Sequence, residues 1–545
     1  MSNNPLIDAL ESAEVVTPAP IAEPIAEEER ERQSQASALV MFIKERCELF
    51  HDQNQEVYAK DLATYETRRV ESRAFKDWLV SGFFEQTQKS ARDQSVREAI
   101  STLSGLGRFM GECREVSIRV AAHSAGYYLD LGQKGNSRAV RIYPGGWECT
   151  DNPPVCFVRP ETLRPIPEPI RGANLDTLWD IANIPESSRL LVIAWLCECL
   201  RPDTPFPVLE LIGEQGSAKS TTQTALRRLI DPNACDLRAI PKTVEDMYVS
   251  ALVNWLASYE NVSHLPPLMQ DALCIIATGG GHAKRKLYTD AEETVLNVKR
   301  PIILNGISAA VTAQDLIDRA ISVEMPIISE RFETTGLWHL FDERHSAMLG
   351  ALLGLMAGAL ARLPTIMLPK EEQPRLIEFV RFGMAITEAL GKNGSEFLAQ
   401  FTVSRQDSIG RTIDASPVAS AVLEWFEHHP LGRTDTAKAL MESVAAHKSA
   451  QSDAWPRSPK GFADALRRAA PALRQFGIEC RSLPKTGGII NWEIRPREKS
   501  PKPCPECPVS PDDDLTEQDI RTCRTSVEQL SSAAPSPGRM VEVVL

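Results

Sequence analysis

The sequence lacks a hydrophobic run long enough to cross a membrane. Its longest stretch without a charged residue, 345–361, is shorter than the roughly 20 apolar residues that a spanning helix needs, and we expect a buried helix there. No secretory signal pattern opens the sequence, no internal repeat is visible, and the 12 cysteines are scattered. This pattern excludes a disulfide framework and predicts reduced thiols and a cytoplasmic location. A hydrophobic content of 43% excludes a wholly disordered or collagen-like chain.

The chain also lacks the excess of positive charge that is typical of nucleic-acid-binding proteins, because its net charge is −13. That charge is unevenly placed. Residues 1–35 contain eight acids and two bases, and residues 501–545 contain eight acids and four bases, whereas residues 451–500 contain ten bases and five acids. Nucleic acid binding therefore remains open for the body of the protein.

Composition and periodicity divide the 545 residues into several parts, as the length itself predicts. We expect a disordered acidic arm over 1–35 and a disordered tail over 501–545, since neither stretch has sustained apolar periodicity. The apolar spacing from Leu39 to Cys47 predicts a helix. The parts between arm and tail are expected to be a helical, then β-rich module (36–165), an α/β core (170–345), a helical region (346–440) and a small basic unit (451–500).

A phosphate-binding loop is the most specific motif in the chain. The buried-strand pattern 206–212 is followed at once by GEQGSAKST and then by a helical sequence. The nine loop residues are Gly213, Glu214, Gln215, Gly216, Ser217, Ala218, Lys219, Ser220 and Thr221. Their N–H groups are expected to bind the phosphates of ATP, with Lys219 neutralising the charge and the Ser220 hydroxyl binding Mg²⁺.

Ala218 stands where this motif usually has a glycine before the lysine. Alanine lacks the freedom of glycine at positive φ. We expect Ala218 to begin the helix, where alanine is tolerated. The alternative interpretation of the whole motif is a glycine turn that binds no phosphate.

Two polar residues follow further buried-strand patterns and are expected beside the phosphates. Residues 252–259 are interpreted as a strand that ends at Glu260, a predicted magnesium ligand or activator of water. Residues 301–304 form a second run, and Asn305 after it is expected to contact the γ-phosphate or the attacking water. The alternatives are an exposed loop acid for Glu260 and a turn-forming asparagine before Gly306 for Asn305.

Arg319 ends the sequence DLIDR, immediately before an apolar strand pattern. We expect this arginine at the edge of a subunit, where it can reach the nucleotide of a neighbour in a ring and stabilise transition-state charge. A surface ion pair with Asp315 is the alternative. Residues 100–160 do not contain the closely spaced carboxylates that primase chemistry needs.

The order of these motifs resembles the superfamily 3 helicases, and among them the poxvirus-type primase-helicase ATPases of phages, plasmids and integrated elements. The resemblance covers about residues 40–400 and includes the segments DALCIIATGGGHAKRKLYTD and LLVIAWLCECLRP. It implies an AAA+-like α/β core with a parallel sheet, a homo-hexameric ring that depends on ATP and Mg²⁺, and movement along single-stranded or forked DNA. Glu260 stands where the family usually has aspartate, so metal binding and water activation both remain open for it.

Residues 279–300 are expected to form a basic β-hairpin between Glu260 and Asn305. In superfamily 3 rings a hairpin at this place projects into the pore. The resemblance therefore implies DNA-phosphate contacts by His282, Lys284, Arg285 and Lys286. Such contacts do not depend on base sequence and weaken with salt. A hairpin that only faces water is the alternative.

The basic unit 451–500 resembles a winged helix, because a helix is followed by a glycine and two short strands. Arg467, Arg468 and Arg474 are expected on or near its recognition helix and Lys485 in its wing. Its positive charge favours DNA binding. Docking of another replication protein is the alternative.

The sequence thus predicts an ATPase that acts as a DNA helicase or translocase in the replication of a mobile element. Two other functions remain open. One is an ATP-switched loader or regulator that sits on DNA without unwinding it. The other is a DNA-binding adaptor that does not hydrolyse ATP, in which Ala218 and Glu260 mark a decayed site.

Overall fold

The first described elements form a helical unit with a small antiparallel sheet. The computed structural model describes residues 23–124, 126–285, 293–328, 333–369, 373–414, 416–448, 455–485 and 490–497, with the backbone alone for 23–34, 282–285 and 293–295. The elements of this unit are α1 (Glu23–Arg46), β1 (Cys47–His51), β2 (Val57–Asp61), β3 (Thr67–Arg69), α2 (Arg73–Thr87) and α3 (Asp93–Met110).

Two boundaries in this unit differ from the expectations. Helix α1 begins at Glu23, within the range expected to be disordered, because its Glu, Ala, Arg and Gln residues are strong helix formers. Cys47 begins a strand where a helix was predicted. Strand β1 pairs with β2 and buries Phe50 in stacked contact with Tyr58. Such a cross-strand contact outweighs local apolar spacing.

A β-rich unit follows and docks on the core through a buried ion pair. Its strands are β4 (Val116–Ser117), β5 (Val120–His123), β6 (Gly126–Asp130), β7 (Ala139–Tyr143), β8 (Gly146–Thr150) and β9 (Cys156–Phe157). Strands β5 to β8 form one antiparallel sheet, and β4 pairs with β9. The Arg119 guanidinium donates to the Asp231 carboxylate over 2.9 Å, and both side chains are buried. Removing either partner would leave an uncompensated buried charge.

The core is an α/β domain with a parallel sheet, as predicted. Its elements are α4 (Asp176–Ile181), α5 (Glu186–Glu198), β10 (Val208–Ile212), α6 (Lys219–Ile230), β11 (Arg238–Ala239), α7 (Val244–Leu252), β12 (Ala257–Glu260), α8 (Pro267–Thr278), β13 (Gly280–Arg285), β14 (Glu293–Val298), β15 (Ile302–Gly306), α9 (Gln314–Ile317) and β16 (Ala320–Glu324). The sheet order is β11-β12-β15-β10-β16 and every pairing in it is parallel. Strands β13 and β14 pair separately as an antiparallel hairpin.

The register of this sheet sets where a ligand can bind. Ile212 at the end of β10 is level with Gly306 of β15 and Glu324 of β16. Tyr259 of β12 is level with Leu304 of β15. The carboxyl ends of four strands therefore lie along one edge, and ligands of open parallel sheets bind at that edge.

Three helices pack against the core after β16: α10 (Thr334–Arg362), α11 (Ile377–Ala389) and α12 (Gly394–Asp414). Among the described residues, one helical stretch, Thr334–Thr365, is long and apolar enough to cross a membrane, and 56% of its most apolar window is buried inside the protein. Its buried side chains include Leu349, Leu353 and Met356, which belong to the main hydrophobic core. A buried helix was predicted over 345–361, and the packing confirms it.

The last described elements form a unit of three helices and a three-stranded antiparallel sheet. They are α13 (Pro417–His428), β17 (Arg433–Thr436), α14 (Ala437–Val444), α15 (Pro459–Gln475), β18 (Ile478–Ser482) and β19 (Asn491–Pro496), with sheet order β17-β19-β18. We call these residues, 417–496, the carboxy-terminal unit. It begins earlier than the predicted 451, because β17 pairs with β19 and Trp425 of α13 is buried in the same core.

Candidate functional site

The phosphate loop connects the buried strand β10 to helix α6. The loop turns tightly: the Ser217 N–H donates to the Glu214 carbonyl over 3.3 Å, and the Ser217 hydroxyl donates to the same oxygen over 2.9 Å. Gly216 has a φ of 92°, which favours glycine. Helix α6 begins at Lys219, so the N–H groups of its first turn have no earlier helical carbonyl to bind. They are available to an anion.

Ala218 does not begin helix α6, contrary to the prediction. It is the residue before the helix, with φ 55° and ψ 28°, in the left-handed region. The chain reverses between Gly216 and Lys219, and that reversal requires a positive φ at this position. Alanine is strained there by about 1–2 kcal/mol relative to its usual conformations.

The Lys219 ammonium is folded into the loop. Its Nζ donates to the Gly213 carbonyl over 2.7 Å and to the Glu214 carbonyl over 2.8 Å, and it lies 3.3 Å from the Ser217 hydroxyl. Partial burial lowers the pKa of Lys219. A phosphate oxygen in the loop could replace these carbonyls as the acceptor, since the ammonium has three donors that can reorient.

Glu260 and Asn305 lie at the carboxyl ends of strands β12 and β15. Strand β12 is shorter than predicted, because α7 extends to Leu252, yet Glu260 is its last residue and is half-buried. Asn305 is buried near the end of β15. Its Oδ1 accepts the Asn261 N–H over 2.9 Å, and its Nδ2 donates to Gln223 Oε1 over 2.6 Å. Both side chains therefore stand at the carboxyl edge of the sheet.

One cavity of about 1240 Å³ joins these groups. Its lining includes the phosphate loop with Glu260 and Asn305, and also the apolar side chains of Trp179, Ile181 and Leu337. The structure thus brings together the predicted loop residues, the predicted acid and the predicted asparagine. A cavity lined by both polar and apolar side chains suits a nucleotide.

The side chains in this cavity fit a nucleoside triphosphate and a magnesium ion. The Ser220 hydroxyl and the Glu260 carboxylate both line it, and Mg²⁺ prefers oxygen ligands of these two kinds. The start of α6 and the Lys219 ammonium offer the donors and the positive charge that phosphates need. We therefore take Ser220 and Glu260 as the residues that would hold the metal.

Arg319 is not in this cavity. It lies just before β16, at the amino end of a strand whose carboxyl end is level with the phosphate loop. Five strand residues separate the two edges of the sheet, which is about 17 Å. Its Nη1 lies 2.5 Å from Asp315 Oδ2 and donates to the Asp315 carbonyl over 2.8 Å. The ion pair that was considered as the alternative is therefore present within one chain.

Asp315 also pairs with Arg375, so it holds two arginines at once. Hydrogen bonding to Arg319, followed by the Arg375 contact, lowers the pKa of Asp315 to about 2. Arg405 makes a separate pair with Asp318 over 2.7 Å. This edge of the sheet therefore carries three arginines and two carboxylates, a surface that could receive an anion if one pair opened.

The predicted DNA-contact residues lie in two places. His282, Lys284 and Arg285 belong to strand β13, of which the structure describes only the backbone at these positions, and Lys286 lies outside the described residues. The four predicted DNA-contact residues of the carboxy-terminal unit are all exposed: Arg467, Arg468, Arg474 and Lys485. Arg467 is partly neutralised by Asp464, 2.7 Å away, and its guanidinium lies 5.3 Å from the centre of the Trp492 ring.

Comparison with known proteins assigns the chain to a family. Residues 175–381 match the actinomycete integrative conjugative element replication proteins, known as AICE RepA. Residues 418–502 match the carboxy-terminal domain of the same proteins. The chain belongs to this family of replication proteins. The resemblance to replication ATPases of integrated elements is thereby confirmed at the level of the family. No curated protein matches the chain.

Solved structures resemble this replication protein at low identity. The carboxy-terminal region of NrS-1, in its A form without ligand, is 11% identical, with 84% of this chain and 98% of that one covered and a TM-score of 0.39. SCCmec type IV Cch, described as an active helicase, is 10% identical, with coverages of 82% and 92% and a TM-score of 0.45. JCV helicase is 11% identical, with coverages of 39% and 68% and a TM-score of 0.21. Because all three TM-scores are below 0.5, the fold assignment rests on the sheet order and the phosphate loop.

Three residues of the site in this replication protein were not predicted. Asn183 donates through Nδ2 to the Ser217 carbonyl over 3.0 Å and to the Pro326 carbonyl over 2.7 Å. Trp179 lines the cavity, and Gln223 binds Asn305. Trp179 lies in helix α4 and Asn183 in the turn after it, and neither belongs to a sequence motif. Gln223 carried one weak signal, because it is a polar residue on the apolar side of α6.

Proposed function

We propose that this protein is an ATP- and Mg²⁺-dependent DNA helicase or translocase that replicates an integrative conjugative element. The observation that carries the proposal is the single cavity lined by Lys219, Ser220, Glu260 and Asn305. A phosphate loop that shares a cavity with an acid at the end of another strand of the same sheet is the arrangement that phosphoryl transfer requires. Membership of a replication protein family supports the biological setting, and we propose that the protein acts in the cytoplasm.

Each residue has a definite task in this proposal. Lys219 exchanges its loop carbonyls for phosphate oxygens and neutralises their charge. Ser220 and Glu260 hold the metal, and Glu260 also orients the attacking water. When bound, Mg²⁺-ATP supplies the transferable phosphoryl group and much of the charge neutralisation. Asn305 offers its remaining amide N–H toward the cavity, because its oxygen and one N–H are already engaged.

Arg319 supports the proposal that the protein works as a ring. Within one chain it lies at the opposite edge of the sheet from the phosphate loop, so it cannot act on its own nucleotide. Helix α12 packs along the edge strand β16, but the Arg319 side chain is partly exposed beside it, and a neighbouring subunit could reach it there. We propose a homo-hexamer in which Arg319 leaves Asp315 and contacts the nucleotide of the adjacent subunit.

Two elements are proposed to contact DNA. Hairpin β13–β14 leaves the core between α8 and the amino end of β15, and its basic residues would follow DNA phosphates in a pore. The carboxy-terminal unit has the helix, strand, helix, helix, strand, strand order of a winged helix. In that order α15 is the recognition helix. Its exposed arginines support DNA binding rather than a purely structural role.

ATP hydrolysis stimulated by single-stranded DNA is the direct test of the ATPase. Wild-type protein should hydrolyse ATP faster when DNA is added, and Lys219→Ala should abolish hydrolysis. The matched control is Lys242→Ala, which removes an exposed lysine outside the cavity and should leave the rate unchanged. Absence of any DNA-dependent hydrolysis by the wild type would refute the motor function.

A loader or regulator that does not unwind DNA is the second candidate. The carboxy-terminal unit favours it, because exposed arginines on one small unit can hold DNA without a pore. Strand displacement on a forked duplex separates the two functions. Displacement that requires ATP supports the helicase, and ATP hydrolysis without displacement supports the loader. Nucleotide binding without turnover would instead indicate the adaptor.

A further inference from the structure

Gln223 is a fully buried polar residue in the second turn of helix α6. Its Nε2 donates to the Ser258 hydroxyl over 2.8 Å and to the Tyr259 carbonyl over 3.1 Å. Its Oε1 accepts from Asn305 Nδ2 over 2.6 Å. A buried amide is costly unless it is paired, and here both ends are paired. The side chain thus joins the helix of the phosphate loop to two strands.

The hydrogen bonds allow only one orientation of the two amides. The Tyr259 carbonyl can only accept, so the nitrogen of Gln223 must face it and the oxygen of Gln223 must face Asn305. The nitrogen of Asn305 then faces Gln223, which leaves its oxygen for the Asn261 N–H, a group that can only donate. Each hydrogen bond in this network therefore has a defined donor. Asn261, directly after β12, donates to Asn305, Asn305 donates to Gln223, and Gln223 donates to the Tyr259 carbonyl within β12.

This network forms hydrogen bonds with the backbone on both sides of Glu260. The carbonyl before Glu260 is held by Gln223, and the N–H after it is held by Asn305. Asn261 has a φ of 52°, so the chain turns sharply directly after the acid. The Val262 N–H adds a bond of 2.8 Å to the Asn305 carbonyl. The direction of the Glu260 side chain depends on this turn, and the turn depends on the two amides.

We infer that Gln223 is a positioning residue for Glu260 and Asn305. It is not among the residues that line the cavity. It sets the acid and the asparagine relative to helix α6, whose first turn bears Lys219 and Ser220. The inference rests on the proposed ATPase function, and it adds a residue that neither the motif nor its spacing identifies.

Gln223→Met tests the inference, because methionine has nearly the same length and shape but cannot make the three hydrogen bonds. We expect ATP turnover to fall about 10- to 100-fold, the usual effect of losing an outer partner of a metal ligand. The Michaelis constant for Mg²⁺-ATP should rise by no more than the factor that Mg²⁺ adds to ATP affinity in the wild type, since the contacts of the phosphates with the loop are kept. A turnover within twofold of the wild type would overturn the inference.

A matched control separates positioning from loss of stability. Leu226→Ala removes a fully buried side chain from the same helix without touching the network. It should lower the denaturation midpoint at least as much as Gln223→Met but leave turnover per folded molecule unchanged. Equal losses of turnover in both variants would mean that Gln223 acts only through stability.

The double variant with Asn305→Ala gives an independent readout. Because Gln223 binds both the Tyr259 carbonyl and Asn305, the double variant should turn over ATP more slowly than Asn305→Ala alone, but by clearly less than the product of the two single losses. Independent structural effects would instead multiply. Multiplied losses would therefore contradict the proposed connection.

Nucleotide affinity with and without Mg²⁺ distinguishes failure of this inference from failure of the proposed function. In the wild type, Mg²⁺ should tighten ATP binding through Glu260, and Gln223→Met should lose most of that gain while keeping the affinity measured in EDTA. This measurement needs no turnover. A wild type that binds but does not hydrolyse ATP therefore still decides the inference, and an unchanged Mg²⁺ gain in Gln223→Met overturns it. A wild type that binds no nucleotide overturns both proposals.

Discussion

Ala218→Gly should stabilise the protein, although glycine usually weakens a helix. Ala218 has φ 55° and ψ 28°, where an alanine side chain costs about 1–2 kcal/mol and glycine costs almost nothing. Glycine also raises the entropy of the unfolded chain, which offsets about 0.4–1 kcal/mol of that gain. The expected net effect is an increase of about 0.5–1 kcal/mol in the free energy of unfolding.

Urea denaturation followed by tryptophan fluorescence can measure this change. Trp195 and Trp255 are buried beside the core sheet, where their indoles donate to the Pro207 and Cys199 carbonyls, so their emission reports unfolding of the core. Ala225→Gly is the matched control, because Ala225 lies inside helix α6. There glycine should cost about 1 kcal/mol.

The sign of the change tests the conformation directly. If Ala218 were the first residue of α6, as its sequence position suggests, glycine would destabilise the protein by about 0.5–1 kcal/mol. A lower midpoint for Ala218→Gly would therefore refute the left-handed conformation. A higher midpoint would explain why the phosphate-loop motif usually has glycine at this position. It would also show that Ala218 lowers the free energy of unfolding.

Three further outcomes are expected. Arg319→Ala protein should inhibit wild-type protein when the two proteins are mixed, because in the proposed ring Arg319 acts on the nucleotide of a neighbouring subunit. Mixtures whose ATPase rate equals the average of the separate proteins would contradict that role. Trp179→Ala should weaken ATP binding about 10-fold but leave the affinity for inorganic tripolyphosphate unchanged, since only ATP has a base that can pack against this ring in the cavity; equal losses for both ligands would show that Trp179 does not contact the base. Burial lowers the pKa of His345 to about 4, so the unfolded chain binds a proton that the folded chain does not between pH 6.5 and 4, and stability should fall over that range by up to about 3 kcal/mol. Urea denaturation across this pH range should show a shallower fall for His345→Gln and an unchanged one for His339→Gln, whose histidine is exposed on the same helix; an unaltered fall for His345→Gln would assign the acid sensitivity to other groups.

Local patterns indicate which residues line this cavity because each of its main parts is encoded in a short segment. A buried strand, a glycine-containing loop and a helix start lie within 15 residues of one another, and their order alone dictates the loop. Glu260 and Asn305 were found because polar residues directly after buried strands of a parallel sheet must emerge at the same edge. The structure places both in the lining of the cavity that Lys219 also lines.

Other features depend on contacts that spacing cannot express. Cys47 continues the apolar spacing of α1 but enters a strand, because β2 lies beside it in the fold. The carboxy-terminal unit begins at Pro417 because β17 pairs with a strand about 60 residues later. Arg319 was expected at an edge, and only the structure shows that Asp315 holds it there.

The sequence by itself therefore determined the chemistry of the cavity: an ammonium, a hydroxyl, a carboxylate and an amide at the ends of parallel strands. Tertiary structure alone decided the orientation of these groups. In the sequence Gln223 is an ordinary helical residue. Its inferred positioning role arises only because α6 packs against β12 and β15, where the Gln223 amide makes three hydrogen bonds. The physical reason is that short-range patterns specify which backbone a segment adopts, whereas the orientation of a buried polar group is set by partners from distant segments that must satisfy it.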